Sequence, residues 1–439
     1  MGDFFNKNKE KNNNESPKKT SDRKFYSKIT DLFSTEPQKE KVLRHEDFNG
    51  AGDVYYASVS AAYKIASRIL LLLLVIFLVF SVIINYKQIT YDNFFYLLKD
   101  FSASVDAEST NYDTLSYDSD SRHSFSLYRG GLAIVNPSRL TAFTATGRRT
   151  LDVTSEFSSP NVVCSDKYIL VYDSSDGYFA IYNSFARVYS ETSETLKYPV
   201  TDACFGDDGS FAIVTRSAEN KSVVRYYSKN MKEVFADNSN ELCLDVQINS
   251  KQKILTSVHY DVGDNGGKTV ISVINNIDDK NKREKIEYEI SGEFPIASQF
   301  LDNGNKFAVI TDRSIKIFNF DKELRQIVSE EFSASYISGF YAEKNGIAIS
   351  YVSESKNHII VFDKSGEMVY NDLVSVNVRD IGYDEYVFLQ TDSGVLRMDI
   401  SKNEATSMLL QAQSGKMIVY DHKTAVICGE SKAEYVVFE

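Results

Sequence analysis

Eight times along the chain a polar turn gives way to a large or apolar residue that opens a run of β-branched and aromatic side chains. These openings fall at Leu132, Tyr168, Phe211, Ile254, Phe307, Ile347, Tyr386 and Ala425, with separations of 36, 43, 43, 53, 40, 39 and 39 residues. From about His123 onward no helical period persists between them. A unit of about forty residues made only of short strands cannot bury both faces of its own sheet, whereas units stacked around a ring can. The repeat therefore predicts an all-β β-propeller over residues 123–439, with eight blades and seven as the alternative count.

The units share an internal order. Phe205-Gly206-Asp207-Asp208-Gly209-Ser210-Phe211 parallels Phe300-Leu301-Asp302-Asn303-Gly304-Asn305-Lys306-Phe307, each an inner strand, a tight turn and the start of a second strand. Ile181-Tyr182-Asn183, Ile317-Phe318-Asn319 and Ile360-Val361-Phe362-Asp363 read as third strands. The last unit ends at its third strand, Tyr435-Val436-Val437-Phe438. A ring needs its first and last blades joined, so a strand from before Leu132 is predicted to complete the final blade and protect its edge. The unit from Ile254 to Phe307 is the long one, and its excess reads as two polar loops, 260–267 and 275–284. Asp261, Asp264 and Asn265 offer oxygen ligands for calcium, but they lack the alternate ligands and distal Glu of an EF-hand loop, which favours a plain hairpin loop.

Ahead of the repeat lies an uncharged run, Ile69-Leu70-Leu71-Leu72-Leu73-Leu74-Val75-Ile76-Phe77-Leu78-Val79-Phe80-Ser81-Val82-Ile83-Ile84. Extended to Ile65 and Tyr86, a helix at about 1.5 Å per residue spans about 33 Å, the thickness of a bilayer core. Lys64 and Arg68 can snorkel at its start, and Tyr63 and Tyr86 suit the two interfaces. About 65 residues precede the run, which argues against a cleaved signal peptide. Residues 1–68 carry 13 Lys and Arg against 10 Asp and Glu, a net of +3, which leaves −15 for the remainder of a chain whose net charge is −12. Basic residues before the span place the N-terminus in the cytoplasm and the propeller outside it.

The expected organisation is a largely disordered cytoplasmic tail over 1–64, one transmembrane helix over 65–86, an interfacial helix and stalk over 87–122, and an extracytoplasmic propeller over 123–439 of the cell membrane protein. The tail opens on the low-complexity run 6–15, and its Lys18, Lys19, Arg23, Lys24 and Lys28 are interspersed with acids, which weakens any contact with anionic lipid. After the span, Phe94, Phe95, Leu97, Leu98 and Phe101 fall on one helical face. Such a helix lies on the outer membrane surface or packs against the next domain. Ser102 to Ser121 is acidic and Ser-rich and reads as a stalk with little fixed structure.

The runs Ile89-Thr90-Tyr91-Asp92-Asn93-Phe94-Phe95-Tyr96 and Leu127-Tyr128-Arg129-Gly130-Gly131-Leu132-Ala133-Ile134-Val135, with Thr146-Gly147-Arg148, carry a resemblance. From about Ser67 onward the chain resembles an uncharacterised family of bacterial proteins, common in clostridia and their relatives. That family has one N-terminal membrane anchor and an extracytoplasmic propeller. The resemblance implies topology and no chemistry.

The residues themselves supply little chemistry either. The five histidines, His45, His123, His259, His358 and His422, form no two-His metal spacing, and there is no Cys-x-x-Cys, no Gly-x-Ser-x-Gly and no phosphate-cradling Gly loop. Cys164, Cys204, Cys243 and Cys428 read as small hydrophobes packed in strands rather than bridges, and Tyr226-Tyr227 as core. With 28 Tyr, 28 Phe and no Trp, aromatic packing must do without indoles, which also weighs against a quinoprotein. The acidic net charge excludes a general nucleic-acid binder. No catalytic, cofactor-binding or metal-binding residue is assigned, and no cofactor is expected. The function that remains is a protein-binding or scaffold module of the cell envelope, with the bilayer and another envelope or membrane protein as partners. The alternative is a propeller enzyme or ligand sensor with its site at the central channel mouth.

Overall fold

The computed structural model describes residues 51–84, 89–102, 114–119, 122–144, 147–263, 266–321, 323–402, 404–409 and 415–438. The chain divides into two compact units between residues 85 and 86. Residues 1–50, with the tail lysines and His45, lie outside the described residues, as do 103–113, Thr146, Asp264 and Asn265.

The first unit contains helix α1, Ala51–Ile84. Ile69 to Ile84 lie wholly within it, and from Val59 onward every side chain except half-buried Ser81 is exposed. From Val59 to Ile84 this helix is long and apolar enough to cross a membrane.

The second unit begins with helix α2, Tyr91–Ser102, and continues into eight four-stranded antiparallel sheets. Each opening residue read from the sequence falls at or next to the start of the second strand of a blade, from Gly131–Val135 in blade 1 to Thr424–Cys428 in blade 8. The blade count is therefore eight. Second and third strands lie between neighbouring blades and are apolar on both faces, as in Ile169–Asp173 and Phe179–Tyr182, where every residue is buried. Fourth strands face solvent and turn polar, as in Glu233–Ser239 and Glu404–Leu409. Near the axis the first strands approach closely: a Cβ on Gly339 of blade 6 would sit 2.8 Å from the Asp380 Cα of blade 7.

Between blades 2 and 3 the packing is aromatic. Phe211 and Tyr227 stack with centroids 4.5 Å apart and planes 6° apart, and Phe179 meets both rings edge-on at 5.7 and 5.8 Å. Phe and Tyr thus supply the large planar surfaces that indoles provide elsewhere.

The ring closes as expected, with one correction. Blade 8 contains Lys416–Asp421, Thr424–Cys428 and Lys432–Val437, and its outer strand is Thr114–Ser116, paired antiparallel with Lys432 to Glu434. This strand lies inside the Ser102–Ser121 stretch read as stalk. Composition missed it because a single apolar residue, Leu115, anchors it, packed with Leu132, Phe143, Val426 and Cys428. Tyr117 adds a hydroxyl hydrogen bond to the Gly429 carbonyl at 2.6 Å.

Blade 4 brings a second correction. Most of 260–267 is strand: Ile254–Gly263 and Gly266–Asn275 pair over their full length. The Gly-rich, polar sequence marks only the tip of a long hairpin, and Asp261 there pairs with Lys221 at 3.8 Å.

Candidate functional site

Successive antiparallel strands reverse direction, so the loops of each blade alternate between the two faces of the ring. Turns joining first to second and third to fourth strands open on one face. Turns joining second to third strands, and one blade to the next, open on the other. Helix α2 sits on the first of these faces.

Its start is set by Thr90, whose Oγ1 accepts the Asn93 N–H at 3.2 Å while its carbonyl accepts that of Phe94. Asp92 in the first turn complements the helix dipole. On the blade side, Arg129 and Gly130 form the two-residue turn between the first strands of blade 1, with Tyr128 opposite Gly131. Both turn residues have positive φ, 49° and 73°, which is the type I′ geometry that matches strand twist and a reason for glycine at 130. Tyr420 of blade 8 donates to the Gly130 carbonyl and steadies the turn from the neighbouring blade.

The turn aims Arg129 at α2. Its Nη2 contacts the Asp92 carboxylate, Nη1 donates to Asn93 Oδ1 at 2.7 Å, and Nε donates to the Tyr128 hydroxyl at 3.1 Å. The guanidinium lies over the Tyr96 ring at 5.0 Å. Blade 2 joins through Ser184, whose N–H and hydroxyl both donate to Asp92, at 3.2 and 3.3 Å. Beside them Phe185 packs against Phe95 at 5.0 Å and Tyr91 at 5.8 Å. The Arg129 and Asp92 side chains keep only 10% and 20% of their exposure. This is a mostly buried, hydrogen-bonded charge pair that fixes α2 across blades 1 and 2.

The two runs that carried the family resemblance thus meet in space. On the remaining face, among the described side chains, Tyr91, Phe94, Leu97 and Leu98 stay exposed, Tyr91 touching the propeller only through its edge contact with Phe185. The apolar pattern identified a helix face, but Phe95 turns to the propeller while Phe94, Leu97 and Leu98 turn away from it.

A second constellation surrounds the axis. Asp202 of blade 3 accepts the Val246 N–H of blade 4 at 3.0 Å, and Asp245 of blade 4 accepts the Ser298 N–H of blade 5 at 2.6 Å and its hydroxyl at 2.8 Å. Asp380 of blade 7 accepts the Met417 N–H of blade 8 at 3.1 Å. Ser124 does the same for Val162 of blade 2. Each is a side chain stapling one first strand to the next. Burial raises the carboxyls of both Asp245 and Asp202 above the ordinary carboxylate range, and the neighbouring Asp245 charge adds to the rise at Asp202. Asp380 is raised by burial too. Sequence reading found none of these acids, because single aspartates in strands carry no motif.

The other residues singled out in the sequence stay apart. Cys204, Cys243 and Cys428 are buried, Cys164 is half-buried, and all four are free thiols. Burial lifts the Cys164 and Cys428 thiols to about 12, so they stay protonated. His259 is buried on Ser257 Oγ at 2.8 Å, and burial lowers it to about 4. His358 stacks on Tyr351, His422 is exposed in a turn, and Tyr226 and Tyr227 are core. Among the described residues no group of three or more His, Cys, Asp and Glu side chains is placed to hold a metal. A polar cavity of about 100 Å³ lies between the closing strand and blade 1, lined by His123, Asn136, Arg139 and Arg149 among others. It is smaller than the roughly 300 Å³ that small-molecule pockets begin at.

A family described as being of unknown function, DUF5711, matches residues 105–438. No curated protein matches the sequence. Among solved structures, BamB from Moraxella catarrhalis is similar at 10% identity and TM-score 0.47, with 75% of this chain and 99% of that chain covered. The WD40 domain of SCAP from fission yeast is similar at 9% identity and TM-score 0.49, with 75% and 96% covered.

Proposed function

The chain belongs to DUF5711, a family of unknown function, and from that premise we propose that it is a single-pass membrane protein whose propeller stands outside the cytoplasm as a protein-binding scaffold of the cell envelope. The observation that carries this reading is one chain that joins an uncovered, all-round apolar helix to a ring closed by its own N-terminal strand. In this reading residues 1–64 are the cytoplasmic tail and 65–86 the span, with Ile69 to Ile84 in hydrocarbon. Residues 87–122 lead to the propeller. The +3 charge before the span supports an N-terminus in the cytoplasm.

A closed ring with stapled inner strands offers a rigid frame whose loops can differ without disturbing the core. That suits binding to another envelope or membrane protein. The three acids around the axis accept backbone N–H groups of the next blade, which fits a role in holding the ring together.

Crosslinking in native membranes followed by affinity capture is expected to recover one reproducible membrane or envelope protein. Recovery of none, while the purified chain turns over a substrate, overturns the scaffold. A phosphatase reporter is expected to be active after Glu439 and silent at the N-terminus, and the reverse pattern overturns the orientation.

A further inference from the structure

We infer that α2 is an interfacial membrane helix, with its outward face in the lipid headgroup region and its inward face fixing how the propeller is presented. The inference rests on the anchor reading above.

At 3.6 residues per turn, Tyr91, Phe94, Leu97 and Leu98 fall within one arc of about 120°, and Asp92, Asn93, Phe95 and Tyr96 occupy the rest. The first set is exposed at 71%, 59%, 53% and 47%, with only the Tyr91 ring touching blade 2 through Phe185, whereas the second set engages blades 1 and 2 by hydrogen bonds and ring packing. Four large apolar or aromatic side chains left in water on a helix of 12 residues is an arrangement that calls for a cover.

Chain length selects the cover. Only residues 85–90 separate α1 from α2. That link reaches at most about 25 Å even when fully extended. From the end of a span at Ile84, the nearest apolar phase is therefore the boundary of headgroups and acyl chains, where amphipathic helices bury such a face about 5–10 Å deep. Tyr91 supplies the aromatic ring that this boundary favours.

The clamp then orients the ring. Because α2 grips the turn at 129–130 and the loop at 184–185, which open on one face, that face lies toward the bilayer. The opposite face, with the second-to-third-strand and blade-to-blade loops, points away and is the one offered to an envelope partner.

The chain has no Trp, so a single substitution makes an unambiguous fluorescent probe. Full-length Phe94→Trp, Leu97→Trp and Leu98→Trp proteins are reconstituted in vesicles of acyl-brominated phosphatidylcholine and phosphatidylglycerol, beside Phe77→Trp in the span and Phe294→Trp in a loop of the far face. Emission at 94, 97 and 98 is expected to fall by about half or more in bromolipid, as at 77, and to be unchanged at 294. Quenching at 77 with none at 94, 97 and 98 overturns the inference and leaves the anchor standing. No quenching at 77 overturns the anchor, and this inference with it. Protection at 94, 97 and 98 from both bromolipid and aqueous iodide shows a second copy or another protein on this face, and also overturns it.

Discussion

Arg129, at the tip of the first hairpin of blade 1, closes a mostly buried ion pair with Asp92, the second residue of α2. Neither residue is part of a strand core, yet Ser184 and Tyr128 from two blades complete their hydrogen bonds. A charge pair of this kind gives little net stability when intact, but removing one partner strands the other and costs several kcal/mol.

Arg129→Ala should therefore release α2 from the ring. Hydrogen exchange on the full chain in lipid nanodiscs is expected to show amide protection in 91–102 falling by about a hundredfold, the equivalent of about 3 kcal/mol, with second strands of the blades unchanged. Asp92→Asn should lose less, since an amide oxygen still accepts from Ser184. The double variant should be no worse than Arg129→Ala, because the pair acts as a unit. Unchanged protection in Arg129→Ala would show that Phe95 and Phe185 hold the helix alone.

Leu115 is the one buried residue of the closing strand. Leu115→Ala is expected to cost about 2–4 kcal/mol in urea unfolding, the usual range for such a truncation. Loss of the strand also bares the edge of Lys432–Val437, so concentration-dependent association should appear by light scattering below the unfolding midpoint. A monomeric, fully stable Leu115→Ala would mean that closure depends on backbone pairing alone.

How much of this is legible in sequence depends on where each residue packs. Second strands announce themselves because blades cover both of their faces, giving unbroken runs such as Phe211-Ala212-Ile213-Val214. Fourth strands such as Glu404–Leu409 are exposed throughout and read as loop. The blade 4 hairpin reads as loop because glycines at 263, 266 and 267 outweigh the strand residues flanking them. The pairing of Asp92 with Arg129 joins two short runs by shape and charge across 37 residues, which no periodicity encodes. Asp202, Asp245 and Asp380 are functional only in relation to the next blade, so their role emerges only when the ring is assembled.

Phe211 lies at the centre of the seam between blades 2 and 3, against Tyr227, Phe179 and Phe205. Phe211→Ala should destabilise the propeller by about 3–5 kcal/mol in denaturant titration. Phe211→Leu loses the ring but keeps most of the volume, so its own loss, about 1 kcal/mol, measures what ring stacking adds, and the further loss in Phe211→Ala measures the cavity. A Phe211→Leu protein as stable as the wild type would remove stacking from the account.

Two buried groups should oppose each other in the pH dependence of stability. Asp245, raised by burial together with its neighbour Asp202, binds a proton more readily folded than unfolded, so the pair's contribution grows as pH falls through the raised range and is complete below the ordinary carboxylate value near ~4. His259, lowered to about 4 by burial, resists a proton that the unfolded chain accepts, so its contribution is present above about 6.5 and is lost as pH falls toward 4. Between pH 7 and 5 these slopes have opposite signs. Asp245→Asn should therefore make the melting temperature fall more steeply on acidification than in the wild type, and His259→Gln should make it rise. Below about pH 4 both variants should lose stability with the wild type, as Asp173, Asp208 and Glu293, held low by their hydrogen bonds, take up protons. Parallel melting curves from pH 7 to 5 for all three proteins would show that neither buried group titrates as its burial requires.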